Sequence, residues 1–212
     1  MVAKRFFLVI AALLLVACES TYYNAMEKVG IHKRDILVDR VEEATESQRE
    51  AQEQFRDALG EFRSVVSFDG GDLEKLYDRL NASFEDSRAA ADDIRDRIDA
   101  VESVAEALFE EWEDELSLYS NARLRDDSAA KLRDTKNRYN RLRKSLRRSE
   151  KSLAPVLDNL QDNVLYLKHN LNASAISAIK GELATIDRDV TALIATMEAA
   201  IAESEGFIAQ LR

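Results

Sequence analysis

The chain has 212 residues, 40 acidic against 30 basic side chains, a formal net charge of −10, and a single cysteine. An acidic balance argues against nucleic acid as a partner, and one cysteine allows neither an internal disulfide nor a cysteine-built zinc cage. Charged residues at 33%, aromatics at 7%, one proline and six glycines suit long helices better than a rounded mixed domain.

At the N-terminus Lys4 and Arg5 precede an apolar run from Phe6 to Ala17 that ends on Cys18. The run is too short for a spanning helix, which needs roughly 20 residues. A basic flank and a short apolar core form the layout of a secretory signal peptide. Its end, Leu15-Val16-Ala17-Cys18, resembles the lipobox of bacterial lipoproteins, in which the thiol takes a diacylglycerol and the chain is cut before the cysteine. The expectation is therefore a lipoprotein signal peptide over 1–17, a lipidated Cys18 with a tether over 18–21, and a mature domain over 22–212. Such a protein meets the membrane through its lipid anchor, in the cell envelope and facing the periplasm. Glu19 is similar to, but weaker than, the aspartate that favours inner-membrane retention, so the outer membrane is expected over the inner.

Four apolar seams follow. Leu37, Val41, Ala44, Gln48, Ala51, Phe55, Ala58, Phe62 and Val65 alternate steps of four and three, the a/d pattern of a coiled coil. Together with Tyr22, Tyr23, Met26 and Val29 they predict a first helix over about 22–67, frayed or bent near Gly30. Gly70-Gly71 with Asp72 behind it predicts a turn and an N-cap. A second seam from Leu73 through Leu80, Phe84, Ile94, Ile98, Val101, Leu108 and Trp112 predicts a helix over 73–119. Near 120–124 the register jumps without glycine or proline, which fits a turn or a single bent helix with a stutter. The third seam places Leu132, Tyr139, Leu146, Leu153, Leu160 and Leu167 seven residues apart, for a helix over 124–170. Pro155 inside it predicts a kink, with Ser152 positioned to recap the lower part. After an Asn170–Ser174 turn, Ile176 to Leu211 predict a fourth helix over 174–211. Short connections between four such helices give an all-α, elongated, antiparallel four-helix coiled-coil bundle.

Charge is uneven along the chain. Residues 19–122 carry 28 acidic and 12 basic side chains, whereas residues 123–151 carry 12 basic and 4 acidic ones. The basic block either faces the acidic first and second helices or faces outward to an anionic surface. In the second case Arg123, Arg125, Lys131 and Arg133, at its lower end, lie nearest the membrane. The remaining candidates for binding or helix capping are His32, Lys33 and Arg34, and Lys168, His169 and Asn170, where polar side chains interrupt the coiled-coil pattern. Two histidines in separate segments, with Val29 and Tyr166 three residues before them, do not make the Glu-x-x-His pairs of a di-metal bundle. No catalytic residue, metal or cofactor is expected.

Three segments carry a family resemblance: YYNAMEKVGIHKRDILVDRVEEA at 22–44, FEEWEDEL with YSNARLR within 109–125, and VLYLKHNLNASAI at 164–176. Through them the chain resembles an uncharacterised family of coiled-coil lipoproteins from Gram-negative bacteria. The resemblance implies an envelope location and a helical fold, and no activity. The expected role is that of a non-enzymatic scaffold, spacer or adaptor, with another envelope protein or a second copy as partner. The alternative is a binding or carrier module that holds an apolar ligand or lipid in an openable bundle, for which polar seam residues Gln48, Ser87 and Ser204 would be suited.

Overall fold

A computed structural model of the chain describes residues 26, 30, 32–68, 70 and 72–212. Four helices account for nearly all of them: α1 Lys33–Val66, α2 Leu73–Leu116, α3 Ala122–His169 and α4 Ala173–Leu211, with no strand among the described residues. The protein is an all-α four-helix bundle. The signal peptide, Cys18 and the tether expected over 1–21 lie outside the described residues.

Helix α1 starts just past the bend expected near Gly30. Of the stretch over 22–31 expected to be helical upstream, all but Met26 and Gly30 lies outside the described residues. His32 sits in extended backbone at φ −84° and ψ 148° as the N-cap of α1, and Gly30 lies at φ +87°. A left-handed residue stops helical propagation, and glycine takes it without the clash a Cβ would bring. Met26, on the far side of Gly30, is helical and half-buried against the core. At the next turn Gly70 has φ +148°, and the Asp72 carboxylate accepts from Lys75 N at 3.3 Å. That bond to a backbone amide holds the Asp72 carboxyl below its usual range.

The register jump near 120 is a turn. Asn121 caps α3 by accepting from Arg123 N at 3.0 Å and Leu124 N at 3.3 Å, as Asp72 caps α2. Within α3 the helix runs through Pro155, which lies on the exposed side. Ser152 does not recap it. Its hydroxyl donates back to Ser149 O at 2.7 Å and meets Thr196 Oγ1 on α4 at 2.7 Å.

Each helix packs on two neighbours, α1 and α3 each on both α2 and α4. The bundle is thus an up-down-up-down square with α1 and α3 at opposite corners. All nine residues of the α1 seam are buried, with Leu37, Val41, Phe55 and Phe62 at 0% exposure. Removing a side chain of that size from water contributes about 1.5–3 kcal/mol. Among the described residues the buried apolar core is drawn from residues 36–208, with Met26 packed against it. Across the centre, Ser149 Oγ donates to Gln48 Oε1 at 2.8 Å and links the two diagonal helices. Ser87 and Ser204 donate instead to carbonyls four residues back in their own helices. Where α1 meets α4, Arg49 pairs with Glu205 at 2.7 Å, Arg56 with Glu198 at 3.8 Å, and Arg63 with Asp187.

Candidate functional site

The two groups of candidate binding residues fall at opposite ends of the bundle. His32, Lys33 and Arg34 start α1 at the base, beside the α2–α3 turn. Lys168, His169 and Asn170 end α3 at the tip, beside the α1–α2 turn. By helix rise the 34 residues of α1 alone separate these ends by about 51 Å. They cannot form one site.

The tip group is built for closure. Asn170 is the C-cap of α3 and donates its amide to Tyr166 O at 2.9 Å. Lys168 and His169 are exposed in the last turn, where positive or donor groups favour the negative helix end. Asn172 then accepts from Ser174 N and Ala175 N to open α4.

The base is more heavily built. His32 is exposed, and its side chain makes no cap hydrogen bond; its carbonyl accepts from Asp35 N and Ile36 N. Lys33 is only 5% exposed, with Nζ donating to Glu111 Oε1 at 2.9 Å, which joins α1 to α2. Trp112 Nε1 donates to Ser128 Oγ at 2.8 Å and joins α2 to α3. Just above, Phe109 packs edge-on to Tyr139 with ring centroids 5.4 Å apart, and Tyr139 lies 6.3 Å from Phe207 on α4. Lys136 Nζ stands 5.4 Å from the centre of the Phe109 ring and pairs with Glu113 at 2.7 Å. Burial in this aromatic layer pushes the Tyr139 phenol well above its ordinary value of 10.0.

All four helices contribute to a cavity of about 560 Å³ at this end. Its apolar walls are Leu108, Trp112, Phe207 and Leu211, and Arg34, Lys131 and Arg138 stand at it with Asp134, Thr135 and Gln210. That volume and mix are typical of a small-ligand site. Each cation already has a local partner: Arg34 has Asp35 at 3.2 Å, Lys131 has Asp127 at 2.9 Å, and Arg138 has Asp134 at 2.7 Å. The hydrogen bond from Lys131 to Asp127 raises the lysine pKa.

Of the lower basic residues, then, only Lys131 joins Arg34. Arg125 pairs with its neighbour Asp126 at 3.3 Å, and the Arg123 and Arg133 side chains are exposed without an ion-pair partner among the described residues. Higher up, Arg143 meets Glu102 at 3.5 Å, and Arg147 gathers Asp99, Glu102 and Glu150 at 2.6–2.9 Å. Hydrogen bonds to Glu102 first, and then to Glu150 and Asp99, hold Arg147 charged. Arg141 reaches Glu203 on α4 at 3.5 Å. The inward half of the basic block therefore faces α2 and α4. It does not face α1, because α1 lies across the diagonal. Among the described residues no group of three His, Cys, Asp or Glu side chains could hold a metal ion.

One protein-family model matches residues 22–211, from just ahead of Met26 to the last residue of α4. The chain belongs to this family, described as "Protein of unknown function (DUF2959)". Comparison with curated proteins returns no match. The DUF2959 match thus spans every helix of the bundle and both ends described above.

Proposed function

We propose that this DUF2959 protein is a lipid-anchored protein of the bacterial cell envelope, held at Cys18 on the periplasmic face and acting without catalysis as a scaffold, spacer or adaptor. The observation that carries this is an elongated bundle whose buried seams run from Ile36 on α1 to Ile208 on α4. A filled coiled-coil core suits a part that keeps distance or orientation better than one that opens. The Lys4–Cys18 run supports the anchor, and Glu19, a weaker retention signal than aspartate, leaves the outer membrane favoured over the inner. No described helix is long and apolar enough to cross a membrane.

A second reading, a binding or carrier module for an apolar ligand or lipid, draws on the base cavity and on the buried amide nitrogens of Gln48 and Gln52, which lack hydrogen-bond partners. Two experiments separate the readings. In cells, Cys18→Ser should leave an unprocessed precursor and abolish labelling by a palmitate analogue; normal labelling would sink the anchor. Native mass spectrometry of the bundle released from its anchor should show protein partners and no lipid in stoichiometric amount. A co-purified lipid at one per chain would favour the carrier instead.

A further inference from the structure

Helices α1 and α3 occupy opposite corners of the square, and each presents one sign of charge along the ridge that faces away from the core. At about 100° per residue, Asp39, Glu46, Glu50, Glu53 and Asp57 form one stripe opposite the buried seam of α1. All five are exposed, and only Glu46 has an ion pair among the described residues, with Arg49 of the same helix. On α3 the corresponding stripe is Arg133, Asn137, Asn140, Lys144, Arg148 and Lys151, again all exposed. Its four cations have no ion-pair partner among the described residues. The needs of the bundle do not account for them, because Lys136, Arg138, Arg141, Arg143 and Arg147 already face its acids.

The stripes match in length and overlap in height. Each spans 18 helical steps, about 27 Å. The hydrogen bond from Ser149 to Gln48 puts those two residues at one level. Since α1 and α3 run in the same direction, Lys144, Arg148 and Lys151 lie within about one turn of the heights of Glu46, Glu50 and Glu53. Sliding a second copy sideways along the α1–α3 diagonal, without rotation, sets the basic ridge of one against the acidic ridge of the next.

We infer that copies of this chain associate laterally, upright and parallel, through the α3 ridge of one and the α1 ridge of its neighbour. Such a contact is heterologous and leaves a ridge of each sign free, so rows extend rather than stopping at a dimer. Exposed charges attract weakly and are screened by salt. Rows therefore need a high local concentration, as when chains share a surface. A second copy is favoured over another polyanion because the acidic stripe is as long as the basic one and overlaps it where Lys144, Arg148 and Lys151 stand. The inference stands on the two ridges and not on the anchor at Cys18.

The test uses the full-length protein, half of it labelled with ¹⁵N, concentrated at low salt and coupled with a zero-length carbodiimide. The ridges lie on opposite sides of one bundle, so any link between them joins two copies, and mixed-isotope peptides prove it. The expected links are Lys144 to Glu46 and Lys151 to Glu50 or Glu53, falling roughly tenfold when salt is raised to about 0.5 M. Arg148→Glu with Lys151→Glu should abolish association in sedimentation, as should Glu50→Lys with Glu53→Lys. Mixing those two double variants should restore it. The inference is overturned by an absence of mixed-isotope links between the ridges, by salt-indifferent links, by an antiparallel pattern (Lys144 to Glu53 and Lys151 to Glu46), or by failure of the mixture to recover.

Discussion

At the base of the bundle, side chains reach from helix to helix: Lys33 to Glu111, Trp112 to Ser128, and Phe109 through Tyr139 to Phe207. At the tip, the capping bonds of Asp72, Asn170 and Asn172 stay within a few residues of their donors or acceptors. The base is braced by buried and aromatic contacts, whereas the links between helices near the tip are largely exposed ion pairs, Arg63 to Asp187 and Arg79 to Glu61. The contrast teaches that damage at the base should spread over all four helices, whereas damage at the tip should stay with the helix it touches.

The largest expected effect tests the bracing directly. Phe109→Ala removes a buried ring that touches both Tyr139 and Lys136, and should cost about 3–5 kcal/mol in urea denaturation. A loss near 1 kcal/mol would mean that the aromatic layer does not tie the helices together. Next comes the Lys33–Glu111 pair, in which Lys33 is buried and Glu111 is partly exposed. Glu111→Leu removes the charge-assisted hydrogen bond to Lys33 and should cost about 2 kcal/mol. Adding Lys33→Met to it should recover part of that loss; additive losses would show that the two residues are not coupled.

A third test uses pH. The Tyr139 phenol is raised above 10.0 by burial, so the folded state prefers its neutral form. The stability this gives is full below pH 10.0 and is lost as the pH climbs past that value toward the folded pKa. Alkaline unfolding of the wild type should therefore begin earlier than that of Tyr139→Phe; coincident curves would leave the phenol without a role. The smallest effect belongs to the tip. Asn172→Ala should cost about 1 kcal/mol through the lost cap, and hydrogen exchange should quicken only in the first turns of α4. Quickening at Trp112 or Leu108 would break the contrast between the ends.

Much of this fold was legible in the sequence because a coiled-coil seam repeats the same demand every seven residues. Each position of the α1 seam from Leu37 to Val65 is buried as its spacing requires. Turns were legible in proportion to their chemistry: Gly70 and Asp72 announce one, whereas Asn121 shows only as a shift of phase. The bend expected near Gly30 was legible as a shift of phase, and it coincides with a glycine at positive φ that has helical Met26 on its far side. The base site was less accessible. Arg34 and Lys131 meet only once the order of helices around the square and their relative heights are known, and no local pattern encodes either. Trp112 carried a signal as a half-buried indole that needs an acceptor, but its spacing did not name Ser128. The basic block held two populations that composition merges, those turned toward α2 and α4 and those turned outward.

The α1–α4 ladder of Arg49, Arg56 and Arg63 against Glu205, Glu198 and Asp187 bears on the order in which the bundle forms. Three of the four helix contacts join successive segments and can zip locally as the chain emerges, a low-contact-order route that favours rapid folding. The fourth joins the first helix to the last. Chains grow from the N-terminus, so the exposed flank of α1 must wait for residues beyond 180 before its arginines find their acids. Closure is then the final event of biogenesis. A nascent or truncated chain would carry an open apolar trough along α1 and α3, and chaperones and proteases would meet it in that form.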